Sequence, residues 1–250
     1  MREVTFSIPE KFRGPPKSAN GGYATGAFGK LVSGGFTPGR AVEVTLRAPV
    51  PLDRELSVDS HDSGIRVRDG ETLIAEAQPA EFELEVPEAA SYERALEVRE
   101  SSAALKVGTH VWLGGERVGF HPICFCCGAE LSPDLGLRVF AAPVLGLSQV
   151  AAAWTCEPAF AAEGGELPPE IVCTALDCPG QFAWLAERTR TGLLGRLTVR
   201  IDRPVRAGER CVVIGWTIGN EGRKYYAGTA LFDAQGRLCA SAKAVWIGKF

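Results

Sequence analysis

The sequence predicts an α+β protein built from two repeats, each an antiparallel sheet wrapped around one central helix. Three observations carry that prediction. LPPEIVCTALDCPGQFAWL, residues 167–185, is almost wholly apolar and opens on two prolines. A first-turn proline forfeits no intrahelical hydrogen bond, and an all-round apolar helix is a buried one. Several segments, such as AVEVTL from Ala41 and GRLTVRI from Gly195, alternate apolar and polar residues as half-buried strands do, and turn residues separate them. Finally, VEVTLRAPVPLDRELSV from Val42 lies over LTVRIDRPVRAGERCVV from Leu197, with Pro49 on Pro204, an offset of 155 (204 − 49). Val44 then meets Val199, Leu46 meets Ile201 and Val58 meets Val213. Order, spacing and alternation agree together, the signature of a duplicated unit.

Composition bounds the function classes. A chain of 250 residues can bury one large core or two modest ones, and 46% hydrophobic with 23% charged residues is ordinary for a globular protein. A net charge of −3 gives no electrostatic case for a nucleic-acid partner. There is no run of 18 apolar residues, and MREVTFSIPEKFRGPPK lacks the apolar centre of a signal peptide. The expectation is a cytoplasmic protein without a membrane partner.

Taken in order, residues 1–19 read as a short strand and a loop. Asn20-Gly21-Gly22-Tyr23 leads into ATGAFGKLV, a helix whose small side chains let a neighbour approach closely. After Gly34-Gly35 comes the strand from Ala41, then strand candidates at Leu56–Val58, Ile65–Arg68, Thr72–Ala77 and Glu81–Val86, with Asp69-Gly70 as a hairpin turn. Residues 87–122 mix charged and short apolar segments and read as a linker. LGLRVF and SQVAAAW are expected strands, followed by the helix at 167–185. GRLTVRI, CVVIGWTI, KYYAGTALF and LCASAKAVWI then follow as strands, with turns at Asn220-Glu221-Gly222 and Asp233–Gly236. The predicted units are 1–100 and 131–250, joined by a linker at 101–130 that carries a cysteine cluster.

LPPEIVCTALDCPGQFAWL followed by GRLTVRIDRPVRAGERCVV, EGRKYYAGTALFDAQGRLCA and SAKAVWI resembles the hotdog fold of acyl-CoA thioesterases. NGGYATGAFGKLV with VEVTLRAPVPL is similar to the same unit, with Asn in place of the family's helix-opening His. The resemblance covers residues 18–86 and 135–247 and implies a double hotdog. It also implies an acidic residue nine positions after the His position. With Pro168 there, Asp177 takes the acidic place; with Asn20 there, Gly29 does. Gly21 in turn takes the glycine whose backbone N–H polarises a thioester carbonyl, where the second half has Pro169, which has no N–H. Each half keeps what the other lacks. Eight residues of helix span about 12 Å, so a working site needs the helix start of one half beside the acid of the other.

The resemblance therefore implies hydrolysis of an acyl-CoA or acyl-carrier thioester without metal or organic cofactor, at one site per chain. Asp177 is the candidate base or nucleophile. The Gly21, Gly22 and Tyr23 amides are the candidate oxyanion donors, and Thr174 is a candidate ligand contact. Against these stand plainer readings: Asp177 caps a helix break before Pro179, Tyr23 is packed, and Thr174 satisfies a backbone carbonyl. Arg223 and Lys224 occupy a place where similar proteins carry basic residues near the coenzyme A phosphates; a solvated strand edge is the alternative. A non-catalytic acyl or small-ligand binding protein is the rival function. A dehydratase is weaker, because no His lies near either helix start. The assembly expected is a pseudo-dimeric monomer or a homo-oligomer.

Of eight cysteines, Cys173, Cys211 and Cys239 lie in apolar runs as small hydrophobes. HPICFCCG gives Cys124 and Cys127 the spacing of a zinc knuckle, three residues after His121, yet no second pair supplies further ligands. Cys156 or Cys178 could close a shell only if the fold brings them near. The expectation is no metal. His61 and His110 stand in polar surroundings and suggest nothing specific.

Overall fold

Strand follows strand around two helical segments in this computed structural model, which describes residues 4–106, 111–113, 116–118 and 121–248. The elements are β1 (Val4–Phe6), α1 (Gly21–Gly29), β2 (Ala41–Leu46), β3 (Leu56–His61), β4 (Gly64–Asp69), β5 (Thr72–Ala80) and α2 (Tyr92–Val98). Then come β6 (Val111–Leu113), β7 (Glu116–Val118), β8 (Ala142–Pro143), β9 (Val150–Thr155), α3 (Pro169–Ala175), α4 (Cys178–Ala186), β10 (Leu193–Ile201), β11 (Arg210–Glu221), β12 (Lys224–Phe232) and β13 (Leu238–Ile247). His110 lies outside the described residues.

Among the described residues, eleven strands form one antiparallel sheet in the order β1-β3-β4-β5-β2-β10-β13-β12-β11-β9-β8. Read outward from the central β2–β10 pair, β5-β4-β3 on one side answers β13-β12-β11 on the other. The register at that pair sets Val44 against Leu197, Glu43 against Thr198 and Val42 against Val199. Glu43 and Thr198 are 155 apart (198 − 43), so the centre of the seam falls where the sequence offset places it. Val42, Val44, Leu197 and Val199 are buried on the helix side, while the Thr198 hydroxyl donates to Glu43 Oε2 at 3.2 Å on the other face.

Each half has its own core. Phe28 and Ala24 of α1 pack with Val42, Val44, Ile65, Val67 and Ile74. Ile171, Val172, Leu176 and Phe182 pack with Leu197, Val199, Val213 and Leu231. The two helical segments then cross. A Cβ added to Gly22 would stand 2.4 Å from the Cys173 carbonyl oxygen and 2.8 Å from Thr174 Cα; one added to Gly26 would stand 2.3 Å from Glu170 Cα. Backbone meets backbone here, which explains the small residues of α1.

Several expectations need correction. The stretch 167–185 is two helices, not one. Pro179 has no N–H to return to the preceding turn, and the chain bends at Leu176 and Asp177 (ψ −2° and −77°). The Thr229 hydroxyl satisfies the Leu176 carbonyl at 2.8 Å. LGLRVF is not a strand: Leu137 and Val139 donate their N–H groups to the carbonyls of Phe125 and Cys126, so this segment braces the cysteine turn instead. Glu81–Val86 is also irregular; β5 ends at Ala80. The segment from Leu84 through α2 packs on Val212, Ile214 and Trp216, on the sheet of the second half.

Candidate active site

Asn20 precedes α1 and accepts the Tyr23 N–H on its Oδ1 at 2.9 Å, a helix N-cap. Its Nδ2 is left to donate elsewhere, and it donates to Asp177 Oδ2 at 2.8 Å. Gly22 N–H donates to the same oxygen at 3.0 Å, possible only because a glycine lets α1 lie against Cys173 and Thr174. Asp177 thus joins the start of α1 to the α3–α4 break. It is 3% exposed, and its side chain makes no capping bond to α4, so the plain capping role does not apply. Oδ1 is buried with no hydrogen-bond partner among the described residues.

Burial is the largest influence on this carboxyl and raises its pKa from 3.8 to about 7; the Gly22 N–H and Asn20 amide pull against it. A carboxylate beside a helix N-terminus gains from the dipole, which also opposes the desolvation. The group is therefore poised between charged and neutral near physiological pH.

A cavity of about 300 Å³ opens at the start of α3, lined in part by Phe12, Tyr23, Phe160, Pro168, Glu170 and Ile171; Tyr23 joins it to the junction, and Asp177 does not line it. Tyr23 stacks on Phe12 with ring centroids 3.9 Å apart, and burial, with the Glu170 charge second, pushes its phenol up, so the hydroxyl stays protonated. Glu170 pairs with Lys30 through Oε1 while Oε2 is buried without a hydrogen-bond partner among the described residues. Sequence reasoning missed Glu170. Its alignment partner, at the offset of 148 that sets Asn20 on Pro168 (168 − 20), is Gly22, and no family motif flagged it.

The structure brings Asp177, Gly22 and Asn20 together, with Gly21 and Tyr23 alongside. The amides expected to face an oxyanion are occupied: Gly22 holds Asp177 and Tyr23 holds the Asn20 cap. Thr174 takes the plainer role, its buried hydroxyl donating to the Glu170 carbonyl at 2.6 Å. Arg223 and Lys224 are not brought to the site. β12 runs along α4 with Thr229 at Leu176 and Tyr226 at Trp184, so the two basic residues lie beyond the far end of a helix about 13 Å long. Both are exposed.

No family model matches the chain, and no curated protein matches it in sequence. Solved structures do match in shape. A candidate thioesterase from Novosphingobium aromaticivorans superposes with a TM-score of 0.61 at 11% identity, covering 99% of this chain and 96% of that one. The tesB protein of Mycobacterium avium subspecies paratuberculosis gives 0.60 at 12% identity, over 99% and 93%. A protein of unknown function with a hot dog fold from Alicyclobacillus acidocaldarius gives 0.60 at 8% identity, over 100% and 94%. At such identities the likeness speaks for shape rather than chemistry. This chain has the hotdog fold of these structures.

Proposed function

We propose that the chain is a double hotdog, two units joined along β2 and β10, that hydrolyses acyl thioesters at one site built from both halves. The boundaries 1–100 and 131–250 serve for the units, with 101–130 between them. The observation that carries the chemistry is the division of labour on Asp177. Oδ2 is fixed by Asn20 and Gly22, while Oδ1 keeps its lone pairs unspent. A general base needs that arrangement: one oxygen for aim, the other to take a proton from water. The water then attacks the thioester carbon, the tetrahedral intermediate expels the thiolate, and the acid is released. Because the Gly22 amide already holds Asp177 and the Tyr23 amide the Asn20 cap, the protonated Tyr23 hydroxyl is the donor assigned to the developing oxyanion. The apolar wall of the cavity takes the acyl chain, and the substrate is an acyl-CoA or acyl-carrier thioester.

A second reading, a non-catalytic acyl binder, is favoured by one observation: Asp177 is closed over while the cavity is lined by Tyr23 and Glu170. A panel of acyl-CoA substrates with free-thiol detection separates the two. Asp177→Asn should keep the fold and lower turnover at least about a hundredfold, and Glu170→Gln should change it far less. Loss in Glu170→Gln alone would move the base to Glu170. Binding of acyl-CoA without any turnover would establish the binder.

A further inference from the structure

The turn His121–Gly128 and the start of α4 lie 50 residues apart in sequence and meet in the core. Cys124, Cys127 and Cys178 are all buried, and their sulfurs lie within 4.8 Å of one another. Cys124 and Cys178 Sγ are 3.9 Å apart. A disulfide would draw them to about 2 Å. A zinc ion with bonds of about 2.3 Å to tetrahedral sulfurs holds them about 3.8 Å apart. The separation found is that of co-ligands, not of a covalent pair.

The turn is built as ligand-holding turns are. The Asn20 amide nitrogen approaches Cys124 Sγ at 3.9 Å. An amide donor beside a sulfur is the outer contact a metal-bound thiolate takes. Gly128 N–H closes the turn onto the Cys124 carbonyl at 2.7 Å, and a Cβ at Gly128 would stand 2.5 Å from that oxygen, so only glycine fits. Leu137 and Val139 clamp the turn from the other side. Packing alone would not require three thiols to converge with an amide donor beside one of them.

We infer that Cys124, Cys127 and Cys178 form a binding site for a thiophilic divalent cation, zinc first among them. Each ligating thiol releases its proton to solvent, three per ion, so the metal–thiolate unit carries one net negative charge, which the Asn20 amide beside Cys124 partly offsets. Sequence reasoning expected no metal because it found one pair of ligands; the fold supplies the missing member from the opposite side of the core. The ion would pin the turn to the residue after Asp177, and the assignment stands whether or not thioesters are hydrolysed.

The test uses the full chain, reduced, stripped with chelator and titrated with Co²⁺ without oxygen. The expected result is the absorption of a tetrahedral cobalt thiolate, saturating at one equivalent and bleached by Zn²⁺, with a melting temperature raised by Zn²⁺. Cys127→Ser and Cys178→Ser should each weaken Co²⁺ binding at least about a hundredfold. Cys211→Ser, a buried thiol outside the trio, should leave it unchanged. Folded wild-type protein that gives no thiolate absorption overturns the site, independently of whether a variant folds. So does unweakened binding by Cys178→Ser, or a Cys124–Cys178 disulfide in place of the metal.

Discussion

The crossed helical segments have two ends, and they have gone opposite ways. At one end Asn20 caps α1, and Asn20 and Gly22 donate to Asp177 of the other half. At the other end Pro168 and Pro169 open α3 without a side-chain cap, and Glu170, standing where Gly22 stands, pairs with Lys30. The close contacts are alike at the two ends although the hydrogen bonds are not. Gly22 abuts Thr174 and Gly26 abuts Glu170, and each pair becomes the other at the offset of 148. Packing is alike at both ends, while the hydrogen-bond donors lie at one end and the ion pair at the other. A buried unpaired carboxylate is tolerated only where backbone and amide donors converge on it.

The largest effects should come from the crossing itself. Ala at Gly22 or Gly26 gains up to about 1 kcal/mol in helix propensity, but its Cβ would strike backbone, which cannot rotate away. The net loss expected is about 2–3 kcal/mol by denaturant unfolding, and Gly22→Ala should also lower turnover. Stability equal to the parent's would mean that the helices do not cross at these glycines.

Next come the two ends. Asn20→Ala removes a cap and one donor to Asp177, a loss of about 2 kcal/mol or more. Lys30→Ala removes a partner whose side chain is 46% exposed, and about 0.5 kcal/mol or less is expected. Equal effects on melting temperature would erase the asymmetry.

Much of this was legible in the sequence because it rests on local periodicity. The strands, the hairpins at Asp69-Gly70 and Asn220–Gly222 and the offset of 155 follow from alternation and turn chemistry, and the central register falls on that offset. The break at Leu176–Asp177 was half legible, since Pro179 marks it but a tertiary partner, Thr229, satisfies it. LGLRVF alternates like a strand yet pairs with a turn, because β8 and β9 already hold that edge of the sheet. Glu170 was illegible as a site residue, and Cys178 was legible only on condition that the fold bring it near the cysteine turn. Each meets a neighbour from a distant part of the chain, Lys30 for one and Cys124 for the other, and no local spacing encodes that.

The Glu43–Thr198 pair at the seam has a consequence for assembly. In a dimer of identical units, a residue on the two-fold axis faces its own copy. Two first halves meeting through β2 would set Glu43 against Glu43, and like charges directly opposite destabilise a strand pair. Two second halves meeting through β10 would set Thr198 against Thr198, which is compatible. Only the mixed pairing gives the hydrogen bond found here. Halves expressed from separate messages should therefore associate as a heterodimer, and sedimentation of the first half alone should find no β2-paired homodimer at concentrations where the mixture is dimeric; a homodimer equally tight would count against this. A carboxylate on the axis makes the first half choose its covalent neighbour over its twin.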